Sequence, residues 1–544
     1  MKHFINAKNN IVTESLDGFL ATTTTRGLAR LDGYPHTKVI VRTDWDKSRV
    51  ALICGGGSGH EPAHAAFVGA GMLTAAVCGE IFASPSVDAV LSAIMAVTGA
   101  AGCLLIVKNY TGDRLNFGLA AERAKLLGFR VEMVIVADDI AIPDADQPRG
   151  VAGTLFIHKI AGYLSEKGKN LAVIKKAAKA AISECYSIGL SLDSCTVPGN
   201  VKDDYLGLDE AELGLGIHGE PGFSKIALAD ADKLMDTACQ KLAATVPDKS
   251  FAVILNNLGA VPPLEMTILA NAYLKTELAE KTGLLIGPAH LMTSLNMNGF
   301  SISLLVLDEM RKVALMSDVG ASGWPGTRVP ADIKILELPE AGQKENYEPS
   351  RNRVVETVLY AVCTMLIKAE NDLNFLDSRI GDGDTGSTFS GGARSVGEAM
   401  DSLPCDDGSE LCMALSGILS RNMGGSSGVL LAILFMAAGK SYSDKPDWAS
   451  ALLQGAEQMM HYGGAQVGDR TMLDALMPGL NVLMRGRSMA EAALTARAGA
   501  NATAQMSNAR AGRASYVHTD NLLGVIDPGA EAMARIFETI AAII

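Results

Sequence analysis

The sequence predicts an α/β region followed by an all-helical region, and three observations carry this prediction. Over the first two thirds of the chain, short apolar runs alternate with helical stretches, as a parallel sheet with crossover helices requires. A polar and charged stretch with two prolines follows at 336–352, which is typical of a linker. Beyond it, apolar residues recur at helical spacing, with no β-rich run of similar quality.

The length of the chain sets the expected number of domains. Its 544 residues correspond to roughly three to four domains of about 150 residues. We therefore expect an α/β domain at 1–335, with subdomains at about 1–190 and 191–335. The linker at 336–352 then leads to a helical domain at 353–544.

Five apolar runs are the predicted strands, and four segments are the clearest predicted helices. The strands are Val50–Cys54, Cys103–Val107, Val131–Val136, Phe251–Leu255 and Ile302–Leu307. The helices are Ser86–Thr98, Phe117–Leu127, the segment Val354–Ala369 with its one apolar face, and Trp448–Met460 after Pro446.

The composition excludes several classes of protein. Hydrophobic residues make up 48% of the chain and charged residues 20%, so it is not disordered. A net charge of -13 gives no positive field to gather nucleic acid or an anionic membrane surface. Apolar runs such as Val429–Ala438 are about half the ~18 residues of a spanning helix, and Met1–Glu14 has no signal-peptide core. The nine cysteines show no CxxC or zinc spacing, which suits a reducing cytoplasm.

A glycine cluster follows the first predicted strand. The segment 55–62 reads GGGSGHEP, at the carboxyl end of a strand, where open α/β sheets place their binding sites. It is neither a Walker A loop nor GxGxxG, since no Gly-Lys-Ser/Thr follows and His60 replaces the last glycine. A tight structural turn is the alternative interpretation.

Two further segments of the α/β region carry candidate chemistry. Lys108 to Asp113 follows the second predicted strand, and Asp113 is either a general base or the N-cap of the next helix. His218 lies in GLGIHG at 214–219, which matches GxGxxG by letter but lacks the flanking strand and helix. A single histidine is usually a surface residue or a satisfied core group, but the glycines on both sides leave space for a ligand and make a ligand contact a real alternative.

The helical region contains one acidic loop and one glycine-rich helix start. Asp377, Asp382 and Asp384 would repel one another unless a hard cation such as Mg²⁺ lies between them, although a solvated acidic turn is the alternative. GGSSG at 424–428 opens an apolar helix whose free N–H groups suit a phosphate. Spacing alone assigns no role to GDRTM at 468–472 or DPG at 527–529.

Two sets of motifs carry a resemblance to a known family. GGGSGHEP at 55–62, ASPSVDAV at 83–90, NYTGD at 109–113 and GIHGEPG at 216–222 resemble the substrate domain of dihydroxyacetone kinases. GDGDTGSTF at 381–389, MGGSSGVL at 423–430, GDRTMLDAL at 468–476, GRASY at 512–516 and DPGA at 527–530 are similar to the nucleotide domain of that family. Because one chain holds both halves, it resembles the ATP-dependent branch rather than the phosphotransferase-system branch.

The resemblance implies a role for each matching residue. His218 matches the histidine that forms a covalent hemiaminal with the substrate carbonyl, and His60 and Asp113 match the groups that activate the substrate hydroxyl. The matching substrate-binding positions are Gly56, Gly57, Ser58, Gly59, Lys108 and Asp113. The matching Mg²⁺ ligands, for two ions, are Asp377, Asp382 and Asp384. The matching ATP contacts are Asp384, Thr385, Gly386, Ser387, Ser426, Ser427, Gly468, Met472, Asp527, Pro528 and Gly529.

The resemblance also implies a fold, an assembly and a reaction. The family combines a two-part α/β substrate domain with an eight-helix barrel and forms homodimers. The implied reaction is ATP-dependent phosphorylation of dihydroxyacetone or glyceraldehyde in the cytoplasm, with no nucleic acid or membrane partner. One alternative is cleavage of FAD to cyclic FMN at the same metal site. Another is a non-catalytic regulatory binding protein, which the presence of Asp113, His218 and the three carboxylates disfavours.

Overall fold

The computed structural model describes residues 3–33, 36–143, 145–200, 205–220, 222–339 and 347–544, without the side chains of 513, 514, 519 and 520. The chain forms two units, Met1–Lys334 and Ile335–Ile544. Positions 340–346 of the expected linker, and Pro221 of the GIHGEPG motif, lie outside the described residues. Among the described helices, none combines the length and the apolar content needed to span a membrane.

The first unit begins with a six-stranded sheet in the order β1-β2-β4-β3-β5-β6. β3, β4, β5 and β6 are parallel, and β1 and β2 form an antiparallel edge. The strands are β1 (Leu28–Arg30), β2 (Val39–Arg42), β3 (Ala51–Ser58), β4 (Ala75–Ile81), β5 (Cys103–Lys108) and β6 (Val131–Val136). The helices of this part are α1 (Ile11–Thr22), α2 (Val87–Val97), α3 (Thr111–Leu126), α4 (Thr154–Glu166) and α5 (Leu171–Ile182).

A second sheet completes this unit, with seven strands in the order β13-β11-β10-β12-β7-β8-β9. The strands are β7 (Cys185–Ser191), β8 (Glu210–Leu213), β9 (Ser224–Ala227), β10 (Phe251–Asn257), β11 (Thr282–His290), β12 (Gly299–Val306) and β13 (Thr327–Arg328). Its helices are α6 (Ala231–Ala243), α7 (Pro263–Leu274) and α8 (Glu309–Met316). β7 already belongs to this sheet, so the division between the sheets falls before Cys185.

The parallel pattern expected throughout the α/β region is wrong for this second sheet. Among its described strands, β10 and β11 pair in parallel and the other five pairs are antiparallel. β11 ends at the same edge as β10, and residues 291–298 turn directly into β12. Because no crossover helix intervenes, β12 returns antiparallel to β10.

The two sheets of the first unit share one apolar core. Leu52 of β3 and Ile254 of β10 belong to the same buried cluster, while Ile53 faces a second cluster on the opposite side of β3. Helix α4 lies in the shared core and is buried along nearly its whole length. Burial on both faces explains why these strands read as continuous apolar runs rather than alternating ones.

The second unit is helical, as the sequence predicts. Its helices are α9 (Arg353–Lys368), α10 (Glu370–Ser378), α11 (Thr385–Glu398), α12 (Gly408–Asn422), α13 (Gly425–Asp444), α14 (Trp448–Gly463), α15 (Leu473–Met484), α16 (Met489–Thr503), α17 (Thr519–Leu522) and α18 (Pro528–Ala541). Eight of them contact one another in a closed ring, in the order α9-α11-α12-α13-α14-α15-α16-α18 and back to α9. This ring agrees with the eight-helix barrel that the resemblance implies.

Close packing in the ring relies on small residues. A Cβ on Gly499 of α16 would lie 2.0 Å from the Asp474 carbonyl oxygen of α15. Ala492, Ala496 and Ala500 recur every four residues on α16, and all three are fully buried. The short side chains let neighbouring helix backbones approach closely and leave the apolar space inside the ring to larger residues.

Candidate functional site

The first three glycines of the cluster belong to β3 itself, whereas the sequence predicts that they follow the strand. β3 extends to Ser58, and Gly55, Gly56 and Gly57 are fully buried in it. A Cβ on Gly55 would lie 2.2 Å from the Val77 carbonyl oxygen of β4. Glycine is therefore required where the two strand backbones approach each other.

We expect Gly55→Ala to destabilise the first unit by at least about 2 kcal/mol, because the new methyl group forces β3 away from β4. The matched control is Gly118→Ala on α3, where a Cβ meets nothing within 4 Å. That substitution should be neutral or stabilise by up to about 1 kcal/mol, since alanine favours helix. Urea unfolding of both variants measures the difference, and equal midpoints would contradict this account of the glycine.

The first group of predicted site residues lies where the carboxyl ends of β3 and β5 face loops of the second sheet. Gly59 accepts a hydrogen bond of 2.7 Å from the Leu295 backbone, and the His60 ring lies 4.8 Å from that of His218. Residues distant in sequence thus meet in one place. Parallel strands place their carboxyl ends along one edge, where α/β proteins bind ligands.

His60 is held in one tautomer. Its Nδ1 lies 2.8 Å from the Thr293 carbonyl oxygen, and since a carbonyl only accepts, Nδ1 carries the proton. Its Nε2 is buried and has no hydrogen-bond partner among the described residues. Burial, helped by the charge of Lys108 and by His218, lowers the pKa of His60 well below its ordinary value. His60 is therefore a neutral imidazole with a free lone pair.

Asp113 lies in the first turn of α3, so its interpretation as the N-cap is wrong. The helix begins at Thr111 with Tyr110 as its N-cap, three residues earlier than an N-cap at Asp113 would give. Asp113 is 3% exposed, and its Oδ1 has no hydrogen-bond partner among the described residues. A buried carboxylate oxygen without a partner has capacity to accept a proton or a hydrogen bond from a ligand.

Lys108 brings a buried positive charge to the same place. Its Nζ donates to the Gly55 carbonyl oxygen at 3.2 Å and to His64 Nε2 at 2.8 Å. A Cβ added to Gly56 would lie 2.6 Å from Lys108 Nζ and 3.4 Å from Asp113 Oδ2. The missing side chain of Gly56 therefore opens a small space that an ammonium group and a carboxylate both border.

A buried cysteine and two histidines adjoin this lysine. Cys54, His64 and His158 each place one ligand atom within 4.8 Å of the others. Their sequence spacing gave no sign of this cluster. The Lys108 ammonium group occupies the lone pair of His64 Nε2, and its charge disfavours a cation between these residues.

The ring of His218 is enclosed by aromatic side chains. The centroids of Tyr110, His60 and Phe82 lie 4.4, 4.8 and 5.3 Å from it. The His218 side chain is 17% exposed, and Glu220 lies within hydrogen-bond distance of its Nδ1 at 3.2 Å. The structure thus brings His60, Asp113, Lys108 and His218 together, as predicted, and adds Tyr110, Phe82 and Glu220, which the sequence did not single out.

A separate cavity also borders the glycine segment. It has a volume of about 370 Å³ and is lined by residues of α1, Gly56–Ser58, Glu61–Ala66 and two residues of β4, Val77 and Cys78. His60, Asp113 and His218 are not part of its wall. We therefore place the reactive groups at the strand ends and not in this cavity.

The second group of predicted site residues lines a cavity of about 690 Å³ in the helical unit. The predicted residues in its wall are Asp377, Asp382, Asp384, Thr385, Ser426, Ser427, Met472, Asp527, Pro528 and Gly529. They come from the end of α10 and its connection to α11, the start of α13, the start of α15 and the start of α18. One cavity therefore collects four motifs that are widely separated in sequence.

The three aspartates fit a hard divalent cation. Asp377, Asp382 and Asp384 each place one carboxylate oxygen within 4.8 Å of the others. Asp377 is buried, and its Oδ2 accepts backbone hydrogen bonds from Asp384 at 2.9 Å and Thr385 at 3.1 Å. These bonds fix the α10–α11 connection, while the other two carboxylates stay exposed. An all-oxygen donor set of this kind suits Mg²⁺.

The start of α13 provides a site for an anion in the same cavity. Gly424 is the N-cap, and the helix begins at Gly425, four residues earlier than the apolar run suggests. Ser426 and Ser427 therefore lie in the first turn, where backbone N–H groups have no intrahelical partner. Phosphate groups bind well at such helix ends.

Three predicted nucleotide contacts are not in the cavity wall, and each has a structural reason for its residue type. A Cβ on Gly386 would lie 2.0 Å from the Glu370 carbonyl oxygen, so glycine allows α11 to pack on α10. The Ser387 hydroxyl donates to the Glu370 carboxylate at 3.1 Å. The Gly468 N–H donates to the Asp474 carboxylate at 2.6 Å and closes a turn.

Arg470 is a candidate that sequence reasoning missed. It is 1% exposed, lines the cavity and donates to the Val525 carbonyl oxygen at 2.7 Å. Its Nε and one terminal nitrogen have no partner among the described residues. Asp527 lines the same cavity, and burial raises the pKa of its carboxyl group to about 6. The only sequence signal for Arg470 was its place inside the GDRTM motif.

Two family models match this chain, one on each unit. The Dak1 domain matches residues 22–322, and the DAK2 domain matches residues 379–542. The dihydroxyacetone kinase of Citrobacter freundii is 46% identical over 545 residues, which cover 99% of this chain and 98% of the relative. The triokinase/FMN cyclases of Mus musculus and Homo sapiens are 39% identical over 578 and 575 residues, with 99% of this chain and 98% of each relative covered.

Solved structures give the same relationship. The native form of the C. freundii dihydroxyacetone kinase is similar with a TM-score of 0.76 and 45% identity, and 99% of both chains is covered. Its complex with AMP-PNP and Mg²⁺ gives a TM-score of 0.75, 44% identity and the same coverage. The dihydroxyacetone kinase operon co-activator Dha-DhaQ is similar with a TM-score of 0.54 and 30% identity. That match covers 57% of this chain and 98% of the co-activator.

Proposed function

The chain belongs to the dihydroxyacetone kinase family, and we propose that it transfers phosphate from ATP to dihydroxyacetone held on His218 as a covalent hemiaminal. The observation that carries the proposal is the convergence of four groups at one sheet edge. They are the ring of His218, the free Nε2 of His60, the unpartnered oxygen of Asp113 and the ammonium group of Lys108. The products are the triose phosphate and ADP.

The covalent bond would set the substrate specificity. The nitrogen lone pair of a neutral imidazole adds reversibly to a ketone or aldehyde carbon, whereas glycerol offers no such carbon. A site that depends on this bond rejects the alcohol even though the two molecules are similar in size. Gly56, Gly57, Ser58, Gly59 and Lys108 would bind the rest of the triose.

His60 and Asp113 would accept the proton of the substrate hydroxyl that receives phosphate. Both are buried, and each has one acceptor atom without a hydrogen-bond partner among the described residues, Nε2 of His60 and Oδ1 of Asp113. A base in a water-poor site acts on the hydroxyl it contacts rather than on solvent. We assign the two residues jointly to this step.

The cavity of the helical unit would bind ATP and two Mg²⁺ ions. Asp377, Asp382 and Asp384 would hold the metal, which when bound supplies positive charge opposite the transferring phosphoryl group. The first turn of α13, at Ser426 and Ser427, would bind phosphate oxygens. Thr385, Met472 and the Asp527–Gly529 segment would contact the rest of the nucleotide from the cavity wall.

The assembly and location are part of the same proposal. We propose a homodimer, on the strength of the family resemblance, and a cytoplasmic location, since all nine cysteines are free. Size-exclusion chromatography with light scattering measures the dimer directly.

A coupled assay of ADP release tests the proposed reaction. We expect saturable turnover with dihydroxyacetone or glyceraldehyde and Mg²⁺, and none with glycerol under the same conditions. Turnover of glycerol at a comparable rate would overturn the covalent specificity. No turnover of any short carbonyl sugar would overturn the proposed kinase activity itself.

Formation of cyclic FMN from FAD is a second candidate activity. It is favoured by the 39% identity to triokinase/FMN cyclases over 99% of this chain. The same three carboxylates would hold the metal for both reactions. Incubation with FAD and Mn²⁺ in the absence of triose tests it. A regulatory role is less favoured, because the similar co-activator covers 57% of this chain, which also carries a complete helical unit.

A further inference from the structure

Glu220 contacts His218 through both of its carboxylate oxygens. Its Oε1 lies 3.2 Å from His218 Nδ1, and its Oε2 accepts a hydrogen bond of 2.9 Å from the His218 backbone N–H. The two residues are separated only by Gly219, whose φ of 80° allows the chain to fold back. One side chain thus fixes both the backbone and the ring of the histidine.

The contact decides which ring nitrogen of His218 is available. An ionised carboxylate only accepts hydrogen bonds, so Nδ1 carries the proton. Nε2 then keeps its lone pair on the far side of the ring. The rings of His60, Phe82 and Tyr110 pack around the imidazole and limit its rotation.

The ionised state of Glu220 is well supported. Burial by itself would raise the pKa of Glu220, but the hydrogen bonds that its carboxylate accepts from the ring and the backbone of His218 lower that pKa below its ordinary value. The carboxylate is therefore ionised near neutral pH, as an acceptor for Nδ1–H must be.

We propose that Glu220 is the positioning residue of the covalent step, which fixes the Nδ1–H tautomer of His218 and balances the charge that its ring acquires. The inference rests on the proposed function. In the step, the Nε2 lone pair forms a bond to the carbonyl carbon, and the π pair of the C=O bond moves onto oxygen. The ring becomes positively charged and the oxygen negatively charged. The oxygen takes one proton from water and Nδ1 releases one proton to water, so the hemiaminal is neutral overall, and Glu220 stabilises the ring until that proton leaves.

Other charged groups around this pair bear on any pH dependence. Arg149 forms an ion pair of 2.6 Å with Asp139, and its side chain approaches Glu220 near Gly216. Besides this pair, Tyr110, His60 and Cys195 face the loop of His218. Arg149 is paired with Asp139. The carboxylate that contacts the imidazole of His218 is that of Glu220.

The test compares Glu220→Gln with wild type and measures the adduct itself. Glutamine is the same size and can still accept the backbone N–H, but its amide can also donate to Nδ1 and favour the wrong tautomer. Carbon-13 NMR of dihydroxyacetone labelled at the carbonyl carbon follows conversion of the ketone signal to a tetrahedral one. We expect Glu220→Gln to lower both the adduct fraction and kcat/KM by about 100-fold or more, as loss of an orienting carboxylate does in other imidazole catalysts.

Controls separate this inference from the proposed function. Glu210→Gln removes a surface carboxylate paired with Lys225 and should behave like wild type. A wild type without the tetrahedral signal would overturn the covalent mechanism. A wild type with that signal, together with a Glu220→Gln variant of equal adduct fraction and equal kcat/KM, would overturn only the role of Glu220. If the melting temperature of Glu220→Gln falls, Glu220→Asp, which keeps the charge, should recover most of the adduct, and failure to do so would also count against the inference.

Discussion

Replacing His218 with alanine is expected to reduce kcat/KM for dihydroxyacetone by about 1,000-fold or more, while the protein stays folded. The substitution removes the nucleophile and with it the geometry that holds the triose against the free atoms of His60 and Asp113. The His218 ring lies in a loop between β8 and β9, so stability should change little. The coupled ADP assay gives the rate, and thermal melting gives the stability.

The matched control for this variant is His290→Ala. His290 is exposed, and its Nε2 lies 3.3 Å from the Gly259 carbonyl oxygen. It should keep wild-type kinetics. If His218→Ala retained more than about a tenth of the wild-type kcat/KM, binding without a covalent bond would be sufficient and the specificity argument would fail.

The second large effect is expected for Asp377→Asn in the helical unit. The variant removes one charge from the three-carboxylate cluster and should lower kcat by about 1,000-fold, because the metal is held and oriented less well. Asparagine keeps a side-chain oxygen that can accept the backbone hydrogen bonds from Asp384 and Thr385. We therefore expect near-wild-type melting but weak Mg²⁺-dependent ATP binding in calorimetry.

Asp401→Asn serves as the control for that variant. Asp401 belongs to the same unit, is 92% exposed and pairs with Arg351 at the surface. Its loss should alter neither ATP binding nor turnover. If the Mg²⁺ dependence of Asp377→Asn were unchanged, the metal could not be assigned to the cluster of Asp377, Asp382 and Asp384, and it would have to bind elsewhere.

The predicted strands were short apolar runs. All five are strands, because runs of five or six residues are too short for a typical buried helix and fit a strand between two covered faces of a sheet. β8 and β9 were missed because they are short and carry charged residues such as Glu210 and Lys225. The parallel direction predicted for β12 was wrong. An apolar run does not indicate how its strand pairs, because the pairing depends on the connection between the strands.

Helix starts were harder to predict than helices. α3 begins two residues before the expected N-cap, and α13 begins four residues before its apolar run. In both cases the helix continues backwards through polar residues that face the site. Amphipathic periodicity detects the buried face of a helix, so it gives no signal over the turn that contacts a ligand.

Site residues could be predicted where reactive side chains lie close together in the sequence. They could not be predicted where the fold brings distant residues together. The carboxylates at 377–384 lie close together because one loop carries them. The bond from His60 to Thr293 joins residues 233 positions apart, and no local pattern contains it. Glu220 belongs to the GIHGEPG motif, but its contact with His218 depends on a turn geometry that the sequence does not specify.

The most direct measurement is a crystal structure of the protein soaked with dihydroxyacetone. The account predicts continuous electron density from Nε2 of His218 to a tetrahedral substrate carbon, with the Glu220 carboxylate on the Nδ1 side of the ring. A planar ketone lying unattached in the site, or a triose bound away from His218, would contradict it.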